Sequence, residues 1–330
     1  MSGTQYATQE GTSRFHARHG LPPWAVRDVM GLRLAAIGLG TYMGDADQQT
    51  DELQHNAVMA LLGMGCNLID CAPNYRDGRA EKCVGDALRE ALSSTVCSRE
   101  DVFVSTKVGL LPESSGLTQR FACGPEGECF EPDCVLLSLE ESLERLGLAC
   151  VDCVFIHNLE LLLRQGAEHF PHRFRVLANA LEQAVIEGMA RSWGISSWLG
   201  FRVPASHPSY LKLADLVSSD TPHLRCLQIP LGLWGSEAVT GDWQNGKSIL
   251  EVKGDLAIFA NSSLRQGELA LALQGKDNLV EHAVCFTRDT KGVDVTLLGI
   301  KKMVHVRSWK RMQHQAPRNV TEVFPKLYGE

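Results

Sequence analysis

The chain has 330 residues, 44% of them hydrophobic, which is enough apolar side chain for one large core, and a (β/α)8 barrel with insertions is about this size. A formal net charge of −7 and a pI near 5.9, with no dense Lys/Arg block, exclude the clustered basic face that nucleic acid requires and leave a small molecule as the expected partner. No apolar run reaches the length of a membrane span, and residues 1–20 are polar with scattered charge, unlike a signal peptide, so a cytoplasmic protein away from membranes is expected.

Residues 1–30 read as an N-terminal arm or a hairpin plugging the floor of a barrel, residues 31–315 as the barrel itself, and 316–330 as a tail. Strand one is predicted over Leu34 to Gly38. A helix follows from Thr50 to Gly63, with Leu53, Ala57, Val58, Leu61 and Leu62 on one face and Asp51 and Glu52 in its first turn. The run Asn67 to Ile69 is a second strand ending on Asp70, and Tyr75 follows after an Ala-Pro break. A helix over Ala80 to Leu92 and a strand over Val102 to Thr106 lead to Lys107. The stretch Val108 to Asp133 is long and rich in Gly, Pro, Ser and Glu, and a loop of that length in a compact domain is functional or mobile.

The helix Cys134 to Leu146 is stopped by Gly147, and the strand Val151 to Ile156 delivers His157. Next come a helix over Phe174 to Glu187, a strand over Ser192 to Ser196, a helix over Ser209 to Val217 and a strand over Arg225 to Ile229. Leu231 to Gly246 is a rim loop, with a short helix near Ser248 to Val252. The strand Asp255 to Ala260, helix Asn278 to Asp289, strand Asp294 to Leu298 and helix Val304 to Gln313 complete eight alternations, the pattern of a parallel (β/α)8 TIM barrel with long rim loops.

Eleven cysteines in a chain with a full-sized core read as reduced, buried small side chains and not as a disulfide framework. In Cys150-x-x-Cys153 the second cysteine lies inside a strand, with no further pair of that spacing, so no metal site is expected there. The spacing of Cys123, Cys129 and Cys134 is too irregular to favour a metal, and His169-x-x-His172 reads as polar loop.

Three successive strands thus end on Asp70, Lys107 and His157, and in a parallel barrel these meet at one mouth with Tyr75 above them. Each residue alone has a duller explanation: a turn cap, a loop aromatic, a solvated charge, a satisfied histidine. Their joint arrival at one rim favours a site. Together with Gly38-Leu39-Gly40-Thr41 and Gly194-Ile195-Ser196, the four residues resemble the aldo-keto reductase superfamily, over about Leu34 to Trp309. A bacterial branch of it is matched by Asn74-Tyr75-Arg76, His157-Asn158 and Gly200-Phe201-Arg202-Val203-Pro204.

The resemblance implies reduction of an aldehyde or ketone to an alcohol by NADPH, with NADH less favoured. The chemistry needs a proton at oxygen as charge develops there. Tyr75 is the expected general acid, and Lys107 is expected to lower its pKa, Asp70 to pair with Lys107, and His157 to orient the carbonyl oxygen. By the same resemblance Gly40, Thr41 and Tyr42 lie beside the nicotinamide ribose; Ser196, Ser197 and Gln228 hold the carboxamide; and Asn261, Ser262 and Leu264 line the ring and pyrophosphate. Gly299, Lys301, Lys302 and His305 fall in the adenosine-phosphate loop. Substrate contacts are expected from Tyr42, Asn158, Trp198 and Trp234, with Trp243 as a further apolar wall.

The chain departs from the family in having Ser196-Ser197 where Ser-Asn is common, Asn261 or Ser262 where a tyrosine stacks, and His305 near the place of an arginine. A role in secondary-metabolite or sugar biosynthesis is one expectation. A cofactor-binding regulatory subunit and a non-redox proton-transfer or elimination enzyme are the alternatives.

Overall fold

The computed structural model describes residues 4–320 other than 274. It begins with α1 (Gln9–His19), capped by the Thr8 hydroxyl, which accepts from the Gly11 amide at 2.9 Å. An antiparallel hairpin follows, β1 (Val26–Val29) with β2 (Leu32–Ala35), then β3 (Ile37–Gly40), α2 (Gln48–Leu62), β4 (Leu68–Asp70) and α3 (Arg79–Ser93). The middle of the chain supplies β5 (Phe103–Val108), α4 (Leu117–Arg120), α5 (Pro132–Leu146), β6 (Cys153–His157), α6 (Phe170–Ile186) and β7 (Trp193–Ser196). After these come β8 (Leu224–Pro230), α7 (Glu237–Thr240), α8 (Ile249–Val252), β9 (Ala257–Asn261), α9 (Glu268–Ala272), α10 (Asp277–Asp289), β10 (Val295–Gly299) and α11 (Met303–His314).

Strands β3 to β10 close into one all-parallel barrel, with β10 pairing back onto β3 through Gly299 and Gly40. This is the (β/α)8 fold expected from the alternating pattern. Because side chains alternate along a strand, each strand sends one set inward and one outward. Leu68, Phe103, Phe155, Cys226, Phe259 and Val295 fill the interior, while Ile69, Val104, Val154, Ile156, Ile195 and Leu227 pack under the helices. The same alternation points Asp70, Ser105, Lys107, His157, Gln228 and Asn261 inward at the carboxyl ends. Gly194 makes room for this filling, since a β-carbon there would lie 2.6 Å from the Phe155 ring and 2.8 Å from the Cys226 carbonyl.

The hairpin closes the amino end of the barrel, with Val29, Leu32 and Leu34 in the interior cluster. Asn67 fastens it: its Oδ1 accepts from the Ala35 amide at 3.0 Å and from His16 Nε2 at 3.1 Å, and its Nδ2 donates to the carbonyls of Arg33 and Asp101. Residues 9–19 form α1, ahead of this hairpin.

The helix expected over Ser209 to Val217 does not form. Only a single 3-10 turn, Leu213–Asp215, is present, because Gln244 takes backbone groups that a helix would pair with each other. Gln244 Oε1 accepts from the Leu213 amide at 3.0 Å and its Nε2 donates to the Leu211 carbonyl at 2.9 Å. Among the described residues no helix is long and apolar enough to cross a membrane. Residues 321–330, most of the expected tail, lie outside the described residues.

Candidate active site

Asp70 closes β4 and faces the barrel interior, where its carboxylate is divided among three donors. Oδ2 accepts from Lys107 Nζ at 2.6 Å, and Oδ1 from the Ser105 hydroxyl at 2.8 Å and from Gln228 Nε2 at 3.0 Å. Ser105 and Lys107 are two apart on β5 and therefore share a face. The lysine also donates to the Cys71 carbonyl at 2.7 Å. Burial opposes its charge, but Asp70 and Tyr75 outweigh that, so its pKa is raised and the ammonium persists.

Tyr75 stands above this pair, with the Lys107 ammonium 4.8 Å from its ring centroid. Tyr42 and His157 meet it edge-on, at 5.1 and 5.8 Å between centroids. The sequence led us to expect a phenol of lowered pKa. Here burial pushes it up and the Lys107 ammonium draws it back only in part. Burial, reinforced by Lys107, drives the His157 pKa well below its ordinary value, so this imidazole is neutral, and its Nδ1 has no partner.

These groups lie at the foot of a cleft of about 650 Å³. Of the sequence-predicted residues, the cleft is lined by Gly40, Thr41, Tyr42, Asp70, Tyr75, His157, Asn158, Ser196, Ser197, Trp198, Gln228, Asn261, Ser262, Leu264, Gly299, Lys301 and His305. Thr41 is fixed by donating its hydroxyl to the Asp70 carbonyl at 2.9 Å. Gln228 Oε1 receives Asn261 Nδ2 at 3.3 Å and the Ser196 hydroxyl at 3.4 Å, so one amide joins the Asp70 carboxylate to three strand ends. Asn74 Oδ1 and Asn261 Oδ1 are buried without a hydrogen-bond partner, leaving acceptors for a bound molecule.

Three expected contacts lie elsewhere. Lys302 is exposed, outside the cleft wall, because it precedes α11 on the solvent side. Trp234 also lies outside that wall; its indole N–H is drawn to the Ser262 carbonyl at 2.6 Å and its ring lies beside Trp198. Trp243 is likewise absent from the wall, and its carbonyl receives the Tyr210 hydroxyl at 2.8 Å. Cys123, Cys129 and Cys134 gather with Leu111 and Leu117 in a small apolar cluster under the long loop, and no described group of residues has metal-ligand geometry.

No role was expected for Ser105, Glu160 or Arg202. For Ser105 a signal existed in its spacing of two from Lys107, and Arg202 stands in the Gly200-Phe201-Arg202-Val203-Pro204 motif, four residues from its partner Trp198. Glu160 has no local signal, since the amides it binds belong to Trp198 and Leu199, far along the chain.

Comparison with known proteins adds an independent line. The chain aligns with a protein of Schizosaccharomyces pombe named as a voltage-gated potassium channel β subunit, at 25% identity over 54% of this chain and 46% of that protein, so it spans about half of that relative's length. An aldo/keto reductase from Klebsiella pneumoniae, solved with NADP and acetate, superposes with a TM-score of 0.65 at 20% identity, covering 92% of this chain and 95% of the other. The thermostable aldo-keto reductase Tm1743, solved with the inhibitor epalrestat, gives 0.62 at 19% identity over 91% and 98%. At such identities these structures bear on fold alone. The family model for aldo/keto reductases matches residues 36–203, half of the chain and the part that carries Asp70, Tyr75, Lys107 and His157, and the protein therefore belongs to the aldo/keto reductase family.

Proposed function

We propose that the protein is an NADPH-dependent reductase of aldehydes or ketones in which Tyr75 is the general acid. The observation that carries this reading is the Lys107 ammonium, held 2.6 Å from Asp70 and 4.8 Å from the Tyr75 ring centroid, at the foot of the cleft that ends in Lys301.

The residues fit a dinucleotide. Asn261 Oδ1 is an unused buried acceptor, and Ser196, Gln228 and Asn261 form a polar seat for an amide group. At the other end α11 opens at Met303 without a side-chain cap, so its first N–H groups and Lys301 suit a phosphate. Two solved relatives of the fold, both from Klebsiella pneumoniae, were crystallised with NADP or NADPH, which supports the same choice. When bound, that cofactor supplies the hydride.

The chain's own residues handle the proton. A phenol held up by burial keeps its proton near neutrality, and transfer to the carbonyl oxygen leaves a phenolate that Lys107 stabilises. Neutral His157 can donate a hydrogen bond to that same oxygen and fix its position. Asp70 keeps the ammonium in place and charged.

Following NADPH absorbance with a panel of aldehydes and ketones tests this reading. Carbonyl-dependent oxidation is expected, falling by about 10²–10⁴-fold in Tyr75→Phe while NADPH binding is retained. Unchanged turnover in that variant would refute the assignment. A second reading, a cofactor-binding regulatory subunit, is favoured by the alignment with the channel β subunit. It expects tight NADPH binding with no carbonyl-dependent oxidation.

A further inference from the structure

Trp198 is the first residue of the loop after the Ser196-Ser197 pair, and its indole lines the cleft. Its main chain is gripped on both sides. The amides of Trp198 and Leu199 both donate to Glu160 Oε1, each at 2.7 Å, and the Trp198 carbonyl accepts from Arg202 Nη1 at 3.2 Å. Glu160 and Arg202 are only 5% and 7% exposed, so these bonds are made away from water, where charge-assisted hydrogen bonds are strong.

The indole itself has a backing. Trp234 lies with its ring plane within 25° of Trp198 and 6.3 Å between centroids. Arg202 ties this second ring in as well: its guanidinium lies 5.0 Å from the Trp234 centroid while Nη2 pairs with Glu237 at 2.7 Å. Through its N–H to the Ser262 carbonyl, Trp234 is also anchored to the end of β9.

The cost of this arrangement is visible. Glu160 Oε2 is buried with no partner, and burial raises the Glu160 pKa against the pull of the Leu199 and Trp198 amides.

We propose that Glu160, Arg202 and Trp234 are positioning residues that hold the Trp198 indole as a rigid wall of the cleft, and that this wall selects carbonyl compounds bearing a flat aromatic group over small aliphatic ones. The inference rests on the carbonyl-reductase reading for the identity of the ligand. Tyr42 and Leu110 line the same cleft and extend its apolar surface. An aromatic face gains most from a partner surface that is already immobile, because little ordering remains to be done on binding.

The test is calorimetric titration of 2-naphthaldehyde and of butanal into the NADP+-saturated protein, where binding is read without turnover. The unaltered protein is expected to bind 2-naphthaldehyde at least tenfold more tightly than butanal. Glu160→Ala should lose about tenfold of that preference with butanal affinity unchanged, and Glu160→Gln, which keeps a carbonyl acceptor for the two amides, should restore it. Trp234→Phe keeps a ring beside Trp198 but loses the bond to Ser262, and an intermediate loss is expected; it carries the test if Glu160→Ala does not fold. Equal preference in all variants, or equal weakening for both aldehydes, overturns the proposal. Failure of the reductase reading would appear separately, as no NADPH oxidation with any carbonyl compound.

Discussion

The Lys107 ammonium lies 2.6 Å from the Asp70 carboxylate, and 0% of its side chain is accessible to solvent. Breaking such a pair leaves a buried charge uncompensated, which costs roughly 3–5 kcal/mol. Asp70→Asn is therefore expected to destabilise the fold by that amount in denaturant unfolding. Burial then acts on Lys107 unopposed by the carboxylate, the amine loses its proton, and stabilisation of the Tyr75 phenolate is lost with it. Activity should fall even where the variant is fully folded. An unfolding free energy within about 1 kcal/mol of the unaltered protein, or full activity, would contradict this account.

His157 is expected to act as a neutral hydrogen-bond donor. Its folded-state pKa lies well below its ordinary value, through burial and then Lys107, so the imidazole carries no charge across neutral pH. The rate should accordingly show no inflection from this group between about pH 6 and 8. His157→Ala is expected to cost about 10²–10³-fold in kcat, the usual effect of removing one oxyanion donor. His157→Gln keeps a neutral donor and should recover part of that loss. Equal losses in both variants would assign His157 a role in packing alone.

What could be read from the chain follows from how locally each feature is encoded. Asp70, Lys107 and His157 end three apolar runs, and a strand's period of two sends all three inward, so the mouth of the site needs only short stretches of sequence. The depth at which they sit is a tertiary property. That is why the Tyr75 pKa moves up when the Lys107 pairing alone predicts down. Helix α1 carries its signals in Thr8 and Gly20, its two caps, but its polar composition conceals them. The loop over Ser209 to Val217 has apolar residues at near-helical spacing, yet its amide and carbonyl groups are taken by Gln244, more than thirty residues away in the chain. Nothing local announces such a partner, and the same holds for Glu160 beneath Trp198.

Acid should weaken the closure of the barrel floor through His16. This imidazole is 8% exposed and donates to Asn67 Oδ1, which already accepts from the Ala35 amide, and burial lowers its pKa from 6.5 to about 4. Between those two values only the unfolded chain takes the proton. Stability is thus complete above the unfolded pKa and is lost as the pH falls from about 6.5 toward 4, at about 1.4 kcal/mol for each pH unit crossed. His16→Gln keeps an N–H for Asn67 without a titrating group. Between pH 7 and 4.5 it should lose roughly 2 kcal/mol less stability than the unaltered protein. Parallel pH curves for the two proteins would show that His16 is not the acid-sensitive element.

Lys301 is expected to decide between NADPH and NADH. It lines the cleft beside the start of α11, and its Nζ lies close over Gly44, where an added β-carbon would be 2.9 Å from it and 2.5 Å from Thr50 Cγ2. A 2′-phosphate gains a charge-assisted hydrogen bond from that ammonium, on the order of 1.5–3 kcal/mol, whereas a ribose hydroxyl gains little. Lys301→Ala should therefore raise the dissociation constant for NADPH by roughly ten- to a hundredfold and leave that for NADH within about twofold. Lys302, exposed and outside the cleft wall, serves as the control: its replacement by alanine should change neither. Equal losses for both dinucleotides would remove Lys301 from 2′-phosphate recognition.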